Sequence, residues 1–228
     1  MSNVETTRTF FNKWSDYHRL VNELDTYRHI ATALRGELAG NVADVGSGGV
    51  LNYDVSDLEK LVIVDIAEKL SGNTDWPTNV IFQIGDAVKL PLTTRQFDTV
   101  LLQLILHHLA EDSFTVTRER NQRAIAEAWR VLKPGGRIVI LESCLPKYLE
   151  VVERELFPIF CMFLRRISHP LVFQWNWKTL ENFVREAGFA EVQLTRVPQG
   201  RWVIQFGRKW PTALTPIKLY KLVAHKPA

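Results

Sequence analysis

Val42-Ala43-Asp44-Val45-Gly46-Ser47-Gly48-Gly49 reads as a buried strand that breaks into a tight glycine loop. Apolar residues and one acid run straight into glycines, which tolerate positive φ and let a ligand approach bare backbone. Further segments follow at regular intervals. Leu61-Val62-Ile63-Val64-Asp65 is apolar and ends in an acid, and Ile81-Phe82-Gln83-Ile84-Gly85-Asp86-Ala87 carries another. Phe97-Asp98-Thr99-Val100-Leu101-Leu102-Gln103 ends in an amide. Strands that finish in polar groups line one sheet edge with hydrogen-bonding side chains, and in open α/β sheets that edge binds ligands. A lone Gly-x-Gly carries little; its repetition in context carries the reading.

Outward from these strands, residues 115–132 show an apolar face (Val116, Ile125, Ala128, Trp129, Leu132) at helical spacing. Lys133-Pro134-Gly135-Gly136 ends that helix, since proline cannot continue it and the glycines allow a turn. Residues 137–142 form a fifth strand, 177–187 a helix closed by Gly188, and 191–197 and 220–225 two closing strands. Alternating strands and helices predict a doubly wound α/β fold on a seven-stranded sheet. The aromatic stripe over 8–38 (Phe10, Phe11, Trp14, Tyr17, Tyr27) predicts an N-terminal helical lid. Residues 146–176 are long for a connection and hold Pro146, Pro158 and Pro170, which predicts a cap inserted after strand 5. With no repeat and no linker, 1–228 reads as a single domain. It comprises a lid (1–38), a cofactor-binding core (40–145), a cap (146–176) and a C-terminal helix with closing strands (177–228).

At 228 residues, 46% hydrophobic and 23% charged, the chain is long enough for a full core and is not of disordered composition. Met1 to Arg8 are polar with no apolar run behind them, so no secretory signal is expected. The longest apolar run, 156–164, is interrupted by Pro158 and falls far short of the roughly 20 residues that span a bilayer. Cys144 and Cys161 lack metal-type or paired spacing and read as free thiols, which places the protein in the cytoplasm with no membrane partner. The net charge of +3 is uneven. Residues 1–146 hold 15 Lys/Arg against 19 Asp/Glu, or −4, and residues 147–228 hold 13 against 6, or +7. An acidic front and a basic, tryptophan-rich rear point to a cofactor and an anionic partner; a plain solvated basic surface is the alternative.

In this order the pieces resemble the class I S-adenosylmethionine-dependent methyltransferases of the small-molecule branch, whose fold is Rossmann-like. The likeness rests on Asp44-Val45-Gly46-Ser47-Gly48, Asp65, Gly85-Asp86-Ala87, Phe97-Asp98 and Leu106-His107-His108-Leu109. Arg130-Val131-Leu132-Lys133-Pro134-Gly135-Gly136 is its most specific element. The family often has a third glycine where Val50 stands, and Asn52-Tyr53 points to a wide loop there. The resemblance implies S-adenosylmethionine as cofactor and S-adenosylhomocysteine as product. Asp65 would accept from the ribose hydroxyls, Ile66 would pack on adenine, and Asp86 and the Ala87 N–H would meet its edge. Asp44 and the Gln103 carbonyl would face the cationic end, and Gly46 and Gly48 would let the methionine part lie on backbone. Arg28 or Tyr17 from the lid would meet the α-carboxylate. A nicotinamide enzyme would need glycine at 51, where Leu51 stands. A non-catalytic binding protein need not keep acids at 44, 65 and 86.

Two acceptor classes remain at this stage. A hydroxyl or amine needs a base, and His107 or His108 after the fourth strand supplies one, although adjacency lets only one face inward. An acceptor that is already anionic needs positioning cations instead. Arg165, Arg166, His169, Lys178 and Arg201, with Tyr27 as a neutral donor, would hold a small carboxylate or phosphonate. The expectation is O-methylation of a small anionic metabolite, as in antibiotic-pathway enzymes. N-transfer or hydroxyl transfer with a histidine base is the alternative. No metal set, nucleic-acid module or oligomeric state is read from the sequence.

Overall fold

The computed structural model describes residues 3–13, 24–49, 51–68, 76–205 and 208–228; Tyr17 lies outside them. Strands β1 (Asn41–Val45), β2 (Lys60–Asp65), β3 (Val80–Ile84), β4 (Phe97–Gln103) and β5 (Leu132–Cys144) are joined by β6 (Ala190–Val197) and β9 (Lys218–His225). They form one seven-stranded sheet in the order β3-β2-β1-β4-β5-β9-β6. The first five strands are parallel, and β9 runs antiparallel between β5 and β6. A separate hairpin, β7 (Trp202–Gln205) with β8 (Arg208–Pro211), was not expected, because so short an apolar run has no clear period.

The apolar strands are nearly continuous because both faces are covered. Val100 and Leu102 point to one face and pack with Ala124, Ile125 and Ala128 of helix α3 (Phe114–Val131). Leu101, between them, points to the other face, against Ile30 and Leu34 of α2 (Asp25–Leu34). Ser113 caps α3 by accepting from the Val116 N–H. The helix stops at Val131, and the chain stays extended through Lys133-Pro134-Gly135-Gly136. β5 therefore begins earlier than expected, with Leu132 opposite Phe97 and a register shift before Thr99.

The expected lid is two different things. α1 (Asn3–Lys13) lies at the carboxyl edge, pinned by Asn3, which donates to Ala110 O at 2.6 Å and accepts from Leu171 N at 2.8 Å. α2 instead buries Ile30 and Leu34 beneath the sheet and belongs to the core. The cap contains α4 (Lys147–Glu155) and α5 (Phe157–Arg166), and α6 (Trp177–Glu186) follows it.

Candidate active site

The strand order reverses at β1, which has β2 on one side and β4 on the other, so the ligand crevice opens at their carboxyl ends. Asp44 on β1 is fully buried. The Tyr53 hydroxyl donates to its Oδ2 at 2.5 Å, while Oδ1 has no partner among the described residues. Burial pushes the Asp44 carboxyl up to about 7, against the opposing pull of the Tyr53 hydrogen bond. At the end of β4, Gln103 Nε2 donates to Asn52 Oδ1 at 3.2 Å, and its buried Oε1 is likewise without a described partner. Two orphaned buried acceptors toward the carboxyl ends of neighbouring strands suit a cationic ligand, because an unmet buried acceptor costs about 1–3 kcal/mol.

Asp65 ends β2. Its Oδ1 accepts from the Ala67 N–H at 2.8 Å and its Oδ2 from the Gly48 N–H at 3.0 Å, so the glycine loop is tied to the second strand. Burial raises this carboxyl, and those N–H groups oppose the rise. Gly46 has φ +76°, and a Cβ there would lie 1.9 Å from Ile105 Cδ1. Its bareness thus serves packing against the turn after β4 as well as ligand approach. The loop after Gly49 forms no helix over 51–59, as Asn52-Tyr53 implied.

Asp86 is half-buried and already engaged. It accepts from the Val88 N–H at 3.1 Å and from Arg120 at 3.3 Å, a cation the sequence reading did not single out. Ala87 beside it is buried. The Ile66 carbonyl accepts from Arg8 Nε at 3.2 Å, which brings α1 to the expected adenine end. Arg28 does not reach the crevice: it pairs with Asp25, and its side chain is 80% exposed.

Beyond the crevice lies a cavity of about 490 Å³. Phe10, Phe11, Leu104, Phe160, Phe163 and Leu219 make its wall predominantly apolar. His107, His108, His169, Tyr27, Glu153 and Gln174 supply most of its polar groups. The adjacency argument for the histidines fails. Leu106–His108 form a single 3₁₀ turn that sets both rings on the wall with centroids 4.0 Å apart. They are nonetheless unequal. His107 Nδ1 lies 2.8 Å from Glu142 Oε1. Glu142, at the edge of β5 and 1% exposed, also accepts from the N–H groups of Leu106 (2.9 Å) and Ser143 (2.7 Å). A carboxylate so held fixes the proton on Nδ1 and leaves Nε2 as the basic nitrogen. His108 is half-buried with Phe11 edge-on to its ring, and burial, then the charges of His107 and His169, holds it well below the usual imidazole range. It is neutral. Burial pushes Glu153 up to about 7, with the Gln174 N–H at 3.1 Å opposing.

Sequence reasoning missed Glu142 and Glu153. The first was legible as another strand ending in an acid; the second sits in the cap, where no strand rhythm marks it. The expected anion-binding cations are elsewhere. Arg165 pairs with Asp112, and Arg166 and Arg201 are exposed. Lys178 is exposed at a different recess beside Trp177. All four are long cations on exposed positions, where water solvates the charge more cheaply than an apolar wall would. His169 and Tyr27 do line the cavity, with Phe10 5.1 Å from the His169 ring.

Residues 43–140 match the methyltransferase domain family. Over 96% of both chains, the protein is 26% identical to a demethylmenaquinone methyltransferase of Lactococcus lactis. It is also 26% identical to a ubiquinone/menaquinone biosynthesis C-methyltransferase of Pseudomonas fluorescens, covering 80% of this chain and 78% of that one. Its fold is similar to the N-methyltransferase NodS of Bradyrhizobium japonicum bound to S-adenosylhomocysteine, with a TM-score of 0.65 and 15% identity over 99% and 100% of the two chains. With the domain match and the strand order in agreement, residues 43–140 form a methyltransferase domain on the fold shared with S-adenosylmethionine-dependent methyltransferases.

Proposed function

We propose that the protein, working as a single cytoplasmic domain, methylates a small hydroxylated ring compound of the reduced-quinone class, with His107 as base and Glu142 as its positioning residue. The carrying observation is the cavity: a largely apolar wall with one carboxylate-held histidine set into it. S-adenosylmethionine supplies the methyl group from its sulfonium. Asp44 and Gln103 would face its charged end, Asp65 its ribose, and Ile66, Asp86 and Ala87 its adenine; Gly46 and Gly48 would leave the backbone bare beside the methionine part. The two orphaned acceptors fit that cationic group.

The chain's own chemistry follows from the wall. His107 Nε2 takes the proton of a ring hydroxyl, and the imidazolium so formed is stabilised by Glu142. The resulting phenolate pushes electron density onto the ring, which makes a ring carbon nucleophilic; after that carbon has taken the methyl it releases its own hydrogen as a proton to solvent, and His107 returns its proton to the oxygen, which restores the aromatic hydroxyl ring. The aromatic wall excludes water that would compete for the proton and loosen the alignment, and alignment alone is worth up to roughly 7–11 kcal/mol. The two relatives named for quinone methylation support a ring acceptor and transfer to carbon. A carboxylate or phosphonate oxygen is disfavoured, because Arg165, Arg166, Lys178 and Arg201 do not line this cavity.

An acceptor panel tests the reading. Labelled methyl transfer should appear with hydroxylated naphthalenes and reduced quinones and not with short carboxylates, phosphonates or amines. Transfer confined to the anions would overturn it.

A further inference from the structure

Helix α4 turns two acids inward, and only one of them has a cation. Glu150 is buried and accepts from Lys147 Nζ at 2.5 Å. Glu153, one turn further on, lines the acceptor cavity and is in no ion pair among the described residues. Its Oε1 accepts from the Gln174 N–H at 3.1 Å. Gln174 is fixed in turn, since its own Oε1 accepts from Ser143 Oγ at 3.1 Å, and both residues share the cavity wall. Glu153 Oε2 has no hydrogen-bond partner among the described residues and is not sealed away from the cavity. An unpaired carboxylate in a largely apolar wall is costly, so such a group takes up a proton or meets a ligand.

Occupation of the cavity decides which. Burial is the largest influence on Glu153, and Glu150 adds to the rise; the Gln174 N–H and a charged His107 oppose it. An apolar ring filling the cavity displaces water and deepens that desolvation, which keeps a proton on the carboxyl. A neutral carboxyl has an O–H donor, where a carboxylate has only acceptors. His107 and Glu153 stand on different elements, the turn after β4 and α4, yet near enough for their charges to interact, so one bound ring can meet both. The wall thus offers a base for one oxygen and a donor for another.

We propose that Glu153 is the second anchor of the acceptor: its Oε2–H donates to a second ring oxygen while His107 serves the first, so the site selects rings with two oxygens over rings with one. This deepens the proposed function and rests on its reading of the cavity as the acceptor site.

Calorimetry on the protein saturated with S-adenosylhomocysteine reads this selection without relying on turnover. At about pH 6.5, below the value to which burial raises Glu153, oxygen-free 1,4-dihydroxynaphthalene, 1-naphthol and 1-naphthylmethylamine are titrated into the wild type, Glu153→Leu and Glu153→Gln. The wild type should hold the two-oxygen ring about tenfold tighter than 1-naphthol, the upper worth of one neutral hydrogen bond. Glu153→Leu should bring that ratio to about one, and Glu153→Gln, whose amide N–H still donates, should restore most of it. No preference in the wild type, a preference that survives Glu153→Leu, or none in Glu153→Gln would overturn the proposal. So would tightest binding of the amine that Glu153→Leu abolishes, since Glu153 would then be a carboxylate meeting a cation. Selection that holds while no hydroxylated ring is methylated would count against the proposed reaction alone, and methylation without selection against Glu153 alone.

Discussion

His107 Nδ1 and Glu142 Oε1 lie 2.8 Å apart, joining the turn after β4, where His107 lines an apolar cavity, to the end of β5 behind it. Parallel pairing of Gln103 with Leu141 brings these two strand ends together. Glu142 keeps a fixed position because backbone N–H groups hold its carboxylate. The dyad is therefore built by the sheet.

Removing the base should show in turnover and spare the cofactor. His107→Asn should lower kcat by about 10² to 10⁴, the usual worth of a general base, with S-adenosylhomocysteine affinity within twofold of wild type. Glu142→Gln should reduce kcat through a mis-set tautomer and move the pH profile. Steady-state kinetics across pH, with calorimetry on the same variants, measures both.

Asp65→Ala should weaken S-adenosylhomocysteine binding by roughly 10- to 100-fold, the worth of one charge-assisted hydrogen bond or slightly more. Part of the loss would come through the Gly48 N–H, which Asp65 holds. Isothermal titration reads this directly, and unchanged affinity would remove Asp65 from the site.

Asp44 and Glu153 make ligand-free stability depend on pH. Burial lifts them from 3.8 and 4.5 to about 7 in the folded state. A group raised on folding contributes stability that is fully present below its unfolded value and is lost as pH rises through its folded value. Both terms therefore fade between about pH 4 and pH 7. For Asp44 the linked loss is on the order of 4 kcal/mol. Asp44→Asn keeps an acceptor for Tyr53 but has no charge to bury. It should raise the melting temperature at pH 8 while cutting S-adenosylhomocysteine affinity at least tenfold. Thermal melts from pH 5 to pH 8 would show the two curves diverging as pH rises.

Gly46→Ala should lower stability, since it places a Cβ at positive φ against Ile105. Left-handed backbone alone costs about 1–2 kcal/mol for a residue with a Cβ. Ile105→Ala should cost less in the Gly46→Ala background than alone, because the clash partner is gone. A double-mutant cycle by denaturant unfolding measures that coupling.

The sheet was legible because its signals are local. Apolar runs ending in Asp65 or Gln103 and the stop at Lys133-Pro134 need no knowledge of distant contacts. The acceptor side was not, because it depends on which residues meet across the fold. Arg165 reads as a ligand-binding cation until Asp112 is seen beside it, and Arg28 until Asp25 is. Glu142 had the same signature as the other strand-end acids, yet its role depends on His107, 35 residues earlier in the chain. α2 carries a stripe as amphipathic as a lid would, and only the sheet beneath it shows that the stripe faces the core.

The most direct test of the account is the fate of the methyl group. Enzyme, S-adenosylmethionine carrying a ¹³C methyl and a reduced naphthoquinone are incubated together, and the product is read by NMR. The account predicts a methyl resonance bound to a ring carbon, absent with His107→Asn. A methyl group on a carboxylate or phosphonate oxygen in a parallel incubation, with none on the ring, would contradict it.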